Sequence, residues 1–296
     1  YARLPVEEDC LVNYGFLPRE HLALMHPREP RRVWDAATRR RAADVLAFVR
    51  ERGPVHPREV DQHFAHGSIR NYWGGSSNAS TQLLDGLHYR GLLRVQRRDA
   101  GIRVYAAMTH PAADDSTEGR ARRAAALVDL IVRKYAPLPA ASLTYLARLL
   151  GYGAPHLKTQ IQAALGQARE ALPSCRIDGV TWYWPAGEDP NARRHVVDDQ
   201  VRLLAPFDPV VWDRRRFELL WGWTYKFEAY TPASRRSFGY YALPMLWQER
   251  VIGWANVGAR NGRVDAEFGY VAGKPKGTAF RNALEDEMQR MTAFLG

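Results

Sequence analysis

The segment Leu204-Ala205-Pro206-Phe207-Asp208-Pro209-Val210-Val211-Trp212-Asp213-Arg214-Arg215-Arg216 gathers two carboxylates, two aromatic rings and three guanidinium groups into one short stretch. The mixture continues through Tyr225, Glu228, Tyr230-Thr231-Pro232, Arg235-Arg236 and Gly239-Tyr240. Aromatic faces interleaved with cations suit an unstacked base and its flanking phosphates. Asp208, Trp212, Asp213, Arg214, Arg216, Glu228, Tyr230 and Arg236 are therefore the active-site candidates, with Arg214 to Arg216 as phosphate holders. A structural reading competes: Asp208 as a cap, Trp212 in a core and Asp213 paired with an arginine.

A second set of candidates faces a polyanion. Ser77, Asn78 and Thr81 stand near the start of a predicted helix, opposite its leucine stripe and on the same face as Asp85 and His88; Ser, Asn and Thr there can reach phosphates or base edges. Arg94, Arg97, Arg98 and Arg103 cluster on a short hairpin with few acidic neighbours in sequence, which makes them the phosphate contacts of choice. Thr159, Gln162 and Arg169 take the outward positions of a later helix. Arg120, Arg122 and Arg123 read as a solvated helix start.

The elements that must hold these groups follow from hydrophobic spacing. Val33 to Arg52 is a helix stopped by Gly53-Pro54, Pro57 opens a short second one, and Ser77 to Arg90 is a third, its stripe built from Ala79, Leu83, Leu84 and Leu87. Leu92–Gln96 and Ile102–Ala106 form a hairpin turned at Asp99-Ala100-Gly101. Three helices and a basic hairpin are the order of a winged helix. The order repeats with helices at 119–135, 140–150 and 155–169 and a hairpin turned at Asp178-Gly179. From Val201 the chain becomes aromatic and β-rich, with Trp212, Trp221, Trp223, Trp247 and Trp254. Ser237–Trp247, Val251–Val257 and Val264–Tyr270 make a meander whose last turn carries Asn261-Gly262. A closing amphipathic helix, 277–295, covers the sheet with Phe280, Leu284, Met288, Met291 and Leu295.

The predicted fold class is thus α+β: tandem winged-helix units, then a barrel-like β-rich domain closed by a helix. The expected limits are a remnant of an N-terminal unit at 1–30, winged helices at 31–110 and 119–185, connectors at 111–118 and 186–200, and the β-rich domain at 201–296.

Charge follows this organisation. The 296 residues carry a net +10. Residues 31–110 hold +7 and 119–185 hold +6, whereas 1–30, 111–118 and 186–200 are acidic. Two basic modules between acidic connectors point to a nucleic acid, although only five of the 42 basic residues are lysine, an arginine bias that genome composition can also produce. No apolar run reaches the roughly 18 residues of a membrane span, so no membrane partner is expected. Cys10 and Cys175 form no disulfide framework or zinc spacing, which fits a reducing, cytoplasmic setting. His56, His63 and His66 lack a completing carboxylate or cysteine, and Gly74-Gly75 lacks the Lys-Ser/Thr of a phosphate loop, so neither metal nor cofactor is expected.

Phe207-Asp208-Pro209-Val210-Val211-Trp212-Asp213-Arg214-Arg215-Arg216, followed by Tyr230-Thr231-Pro232 and Gly239-Tyr240, closely resembles the C-terminal part of the crosslink-repair DNA glycosylases of the YcaQ/AlkZ type. Asn13-Tyr14-Gly15, Phe16-Leu17-Pro18 and the first helical module are similar to that family too. The resemblance implies a monomeric enzyme associated with the nucleoid, in which tandem winged helices and a barrel-like domain surround damaged double-stranded DNA. The implied activity is hydrolysis of the N-glycosidic bond of bulky alkylated or crosslinked bases without a metal. The implied catalytic signature is a Gln-x-Asp or Gln-x-Gln in the N-terminal winged helix. No Gln-x-Asp lies in the N-terminal region here. The segment that should carry it is expected upstream of Tyr1, in a longer protein, which leaves this chain inactive or impaired. Gln160-Ile161-Gln162 matches the letters but sits on the third helix of the later module with Ile161 inward, and is rejected as the catalytic pair. A transcriptional regulator, with winged helices reading an operator and a C-terminal sensing domain, is the competing function.

Overall fold

The protein is described from a computed structural model covering residues 5–30, 33–70, 74–260 and 263–295. Strand β1 (Val6–Cys10) pairs antiparallel with β2 (Tyr14–Pro18), and a 3-10 turn at Arg19–Leu24 follows. Helix α1 (Ala36–Arg52) begins where the Asp35 carboxylate accepts the Thr38 N–H and ends at Gly53, whose φ of 85° only glycine adopts freely. Helix α2 (Pro57–Phe64) starts with a reciprocal cap: His56 accepts from the Arg58 backbone, and Glu59 accepts from the His56 N–H at 2.8 Å. The polar, glycine-rich stretch before the third helix contains a small ribbon, β3 (Ser68–Arg70) with β4 (Ser76–Asn78), before α3 (Ala79–Tyr89). Strands β5 (Leu93–Asp99) and β6 (Ile102–Ala107) form the expected hairpin around Ala100 and Gly101, both at positive φ.

The second run of elements comprises α4 (Thr117–Tyr135), β7 (Leu138–Pro139), α5 (Ala140–Gly153), a 3-10 turn at Pro155–Leu157 and α6 (Lys158–Ala171). It closes with β8 (Ser174–Ile177) and β9 (Val180–Tyr183), joined by Asp178 and Gly179, again both at positive φ. Beyond it lie β10 (Val201–Leu203), α7 (Pro209–Trp212), α8 (Arg214–Trp221), β11 (Leu243–Trp247), β12 (Arg250–Arg260), β13 (Arg263–Tyr270) and α9 (Thr278–Leu295). The predicted Asn261-Gly262 turn lies outside the described residues.

The chain divides into two compact units, Tyr1–Ile131 with Leu143–Leu172, and Val132–Ser142 with Pro173–Gly296. In the first unit, the stripes of α1, α2 and α3 meet the β5–β6 hairpin in a core of Val45, Val49, Val60, Leu84, Leu87, Leu93 and Tyr105. In the second unit, Phe217 and Tyr225 are buried against Val211, Ala242 and Val251 and ringed by Trp221, Trp223 and Trp254. A second cluster there buries Phe280 of α9 against Val201 and Met245.

Mixed helix and strand is as expected, but the barrel is not. Among the described residues the C-terminal sheet is open, four antiparallel strands in the order β10-β11-β12-β13. The physical reason lies at its edge. The Leu203 N–H, free of the ladder, donates to the buried Glu287 carboxylate at 2.7 Å, and the Val201 carbonyl accepts from Arg290 at 3.0 Å. Side chains of α9 satisfy the β10 edge that another strand would have to pair to close a barrel. The predicted strand from Ser237 is shortened to Leu243–Trp247, because the Ser237 and Phe238 N–H groups bond to Glu228 instead of a ladder.

Candidate functional site

The 204–216 stretch folds as two consecutive caps. Asp208 starts the single turn of α7 by accepting the Val210 N–H at 2.8 Å, and Asp213 starts α8 by accepting the Arg216 N–H at 3.2 Å. The arginines fold back onto this turn. Arg214 donates to the Pro206 carbonyl at 2.9 Å and to that of Val211, with its guanidinium 4.4 Å from the centre of the Tyr225 ring. Arg216 is buried and donates to the Pro209 carbonyl. The expected phosphate-holding role of Arg214 and Arg216 is revised accordingly, since their donors serve backbone carbonyls; Arg215 is the exposed cation of the three.

Beside these caps lies a buried polar cluster. Tyr135 stands 5.9 Å from Trp212, centre to centre, and 6.0 Å from the Arg216 guanidinium. Burial pushes the Tyr135 hydroxyl up to about 12, with Arg216 opposing and Asp213 adding to the shift, and burial also lowers Arg216. Asp213 and Arg216 do not form the expected ion pair: Asp213 Oδ2 and Arg216 Nε are buried without a hydrogen-bond partner among the described residues.

Glu228 is buried too, and its carboxylate clasps a loop, accepting the Ser237 N–H at 2.8 Å and the Phe238 N–H at 2.7 Å. Burial raises its pKa, but the Phe238, Ser237 and Gly239 amides more than compensate, and the net shift is downward. Such a carboxylate acts as an anchor. The loop it anchors presents Tyr230, 94% exposed, while Arg236 donates to the Thr231 carbonyl at 2.8 Å and lies over the Tyr240 ring. A cavity of about 1200 Å³ in the same unit is lined by Cys175, Trp182, Trp184, His195 and Leu219, and none of the eight active-site candidates lines it.

In the first unit, Asn78 caps α3, accepting the Thr81 N–H at 3.1 Å, and Ser77 belongs to β4. His88, expected on the outer face, is buried and hydrogen-bonds the Glu8 carbonyl at 2.9 Å. Asp85 accepts from Tyr105 and Arg103.

The premise that the hairpin arginines have few acidic partners is corrected. Arg94 pairs with Glu7 at 2.9 Å, and Arg98 takes Glu8 in a two-pronged contact at 2.7 and 2.9 Å. Arg103 pairs with Asp85 at 2.9 Å and approaches Glu8 at 3.8 Å, while Arg97 pairs with Asp99 at 2.9 Å. The distant acids come from β1, a strand whose Glu7, Glu8 and Asp9 are all buried. Asp9 in turn lies 2.6 Å from His26 and 3.0 Å from Arg28, which also donates to the carbonyls of Tyr89 and Gly153.

Sequence reasoning took 1–30 as an acidic remnant and missed this network. Its only signal was three successive acids between strand-forming residues, a pattern unsuited to a solvated linker. Arg123, expected in solvent, is likewise buried and pairs with Asp115 at 2.6 Å. Thr159, Gln162 and Arg169 are exposed on α6, although Arg169 donates to Thr144. Ile161 points inward between Gln160 and Gln162, as the rejected tripeptide requires.

The histidines of the first unit have structural partners: His63 stacks on Phe48 and His66 on Phe64. No group of three or more metal-binding side chains occurs among the described residues, and none of their helices is long and apolar enough to cross a membrane.

The family model described as "DNA glycosylase AlkZ-like" matches residues 1–294. Among solved structures, the Streptomyces sahachiroi DNA glycosylase AlkZ is similar to this chain at 13% identity and a TM-score of 0.57, over 99% of this chain and 80% of that one. At that identity the likeness speaks for the fold; the family match, which runs through the capped 204–216 turn, the Glu228 loop and the α1–β6 module alike, makes the chain a member of the AlkZ-like DNA glycosylase family.

Proposed function

We propose that this chain serves DNA repair as a monofunctional glycosylase that hydrolyses the N-glycosidic bond of bulky alkylated or crosslinked bases in double-stranded DNA. The observation that carries the reading is the family match over residues 1–294. In this reading 31–110 and 119–185 are winged helices whose DNA contacts are Ser77 of β4, Thr81 of α3, and Thr159 and Gln162 of α6. Arg97 and Arg98 reach phosphates by exchanging a carboxylate partner for a backbone one. The protein acts as a monomer within the cytoplasm, on nucleoid DNA.

Hydrolysis adds a water oxygen to the sugar C1′ while the base departs with a proton, so the site must hold that water and shelter an oxocarbenium-like sugar; a carboxylate beside a cationic transition state is the general precedent. Residues 1–30 contain no Gln-x-Asp or Gln-x-Gln. If residues 1–296 lack that catalytic group, the polypeptide binds damaged duplex while being impaired in excision. Robust abasic-site formation by it would instead place the catalytic group within these residues, with Asp208, Asp213 and Glu228 the first to substitute.

The test is competition between alkylated and undamaged duplexes of random sequence. A glycosylase prefers the damaged duplex whatever its sequence. Indifference to damage, with a preference for a two-fold symmetric site whose half-sites lie about one helical turn apart, would overturn the reading in favour of a regulator.

A further inference from the structure

The loop that Glu228 anchors carries a surface that neither capping nor packing explains. Phe207 is 56% exposed, Tyr230 94%, Tyr240 60% and Tyr241 42%, all within the second unit. The rings are organised around Phe227, which meets Phe207 edge-on at 5.4 Å, Tyr241 at 5.3 Å and Tyr230 at 6.2 Å. Exposing this much aromatic area to water is unfavourable, at about 25 cal/mol per Å², and a free loop would relieve it by folding the rings inward. This loop is not free. Glu228 takes the amides of Ser237 and Phe238, the Thr231 N–H donates to the Glu228 carbonyl at 2.9 Å, Arg236 holds the Thr231 carbonyl, and Asn256 donates to the Phe238 carbonyl at 2.6 Å. The backbone is pinned from both sides while the rings are held in solvent.

Charge selects the occupant. From Ala229 to Gln248 the chain carries no acid but has Arg235 and Arg236, with Lys226 just before. Arg235 makes no ion pair among the described residues, and the carboxylate nearest in sequence, Glu228, is buried beneath its own amides. Aromatic faces bordered in sequence by Arg235 and Arg236, with Asp208 beside Phe207 committed to its cap, match a strand of unpaired bases on a phosphate backbone.

We propose that Phe207, Tyr230 and Tyr241 form a stacking platform for the unpaired bases of single-stranded DNA, with Lys226 and Arg235 holding the phosphates while Arg236 and Tyr240 brace the loop. The proposal rests on the functional reading above only in taking DNA as the polymer. It assigns the platform to the strand opened around a lesion.

The probe is a fluorescent twelve-residue oligothymidine, compared by anisotropy with a fully paired duplex of equal length. Stacking is worth roughly 1–3 kcal/mol per base, so Tyr230→Ala is expected to weaken oligothymidine binding by about tenfold, and by several-fold more than it weakens the duplex. Tyr230→Phe keeps the affinity. Phe207→Leu and Tyr241→Leu, which retain an apolar side chain without a ring, give the same differential loss. Because Tyr230 is almost wholly in water, its removal does not endanger folding.

Equal losses on both probes, or no loss in any variant, would overturn the platform. So would a wild-type chain that ignores oligothymidine but self-associates in a way Tyr230→Ala abolishes, which would assign the rings to a second copy of the chain. Preference for alkylated duplex with an unresponsive oligothymidine would remove the platform alone. A ring-dependent oligothymidine signal without lesion preference would remove the glycosylase reading alone.

Discussion

Asp9 and Glu228 show how a buried carboxylate can be committed to structure. Asp9 is held at about 2, below its ordinary 3.8: burial pushes it up, but the His26 hydrogen bond and the Arg28 charge pull it down further. A carboxylate with a depressed native pKa stabilises the fold above its unfolded value and loses that contribution as pH falls through the native one. Asp9 should therefore contribute about 2 kcal/mol near neutrality, a contribution lost between about pH 4 and 2. Asp9→Asn is expected to lower the urea midpoint at pH 7 and to flatten its fall below pH 4; an unchanged acid limb would refute the assignment. Glu228 has the same sign of shift but serves a different purpose, since its partners are amides of one loop. Glu228→Gln replaces an acceptor oxygen with a donor facing N–H groups and should cost about 1–3 kcal/mol. Amide exchange at Ser237 and Phe238 should accelerate beyond the global change, and protection equal to wild type would show that the carboxylate is not the anchor.

At the scale of elements, the helices of the two N-terminal modules were legible because hydrophobic spacing is local, whereas α7 and α8 went unread although their caps are local too. Asp35, Asn78, Asp208 and Asp213 each bond an amide two or three residues ahead, so a short window of sequence contains the whole interaction. The hairpin turns at Ala100-Gly101 and Asp178-Gly179 were readable for the same reason. The ion pairs were not. Arg98 meets a partner 90 residues away and Arg94 one 87 residues away, and nothing in the spacing announces it. The open sheet was missed likewise, because its edge is satisfied by Glu287 and Arg290 from a helix some 84 to 89 residues on. Glu287→Ala should leave the Leu203 N–H without its acceptor, costing about 1–3 kcal/mol. Hydrogen exchange at Leu203 is the direct readout, and an undisturbed rate there would contradict the sealed-edge account.

For the whole molecule, the family was legible where fold details were not. A long collinear string such as Phe207 to Arg216 is specific even when its side chains turn out to cap helices and bind carbonyls. The candidate site was only partly readable: Tyr230 and Arg236 emerge together on a pinned loop, whereas Asp208, Arg214 and Glu228 are structural, and Phe227 and Tyr241 gain meaning only from ring contacts across the loop. The net charge of +10 survives this redistribution, since pairing within the fold moves charge without removing it. The claim on which the functional account depends is that this surface meets a nucleic acid through its phosphates. A salt titration of binding to alkylated duplex tests it most directly. If about six phosphates are neutralised, log affinity should fall against log salt with a slope near −5. A slope near zero would contradict the account.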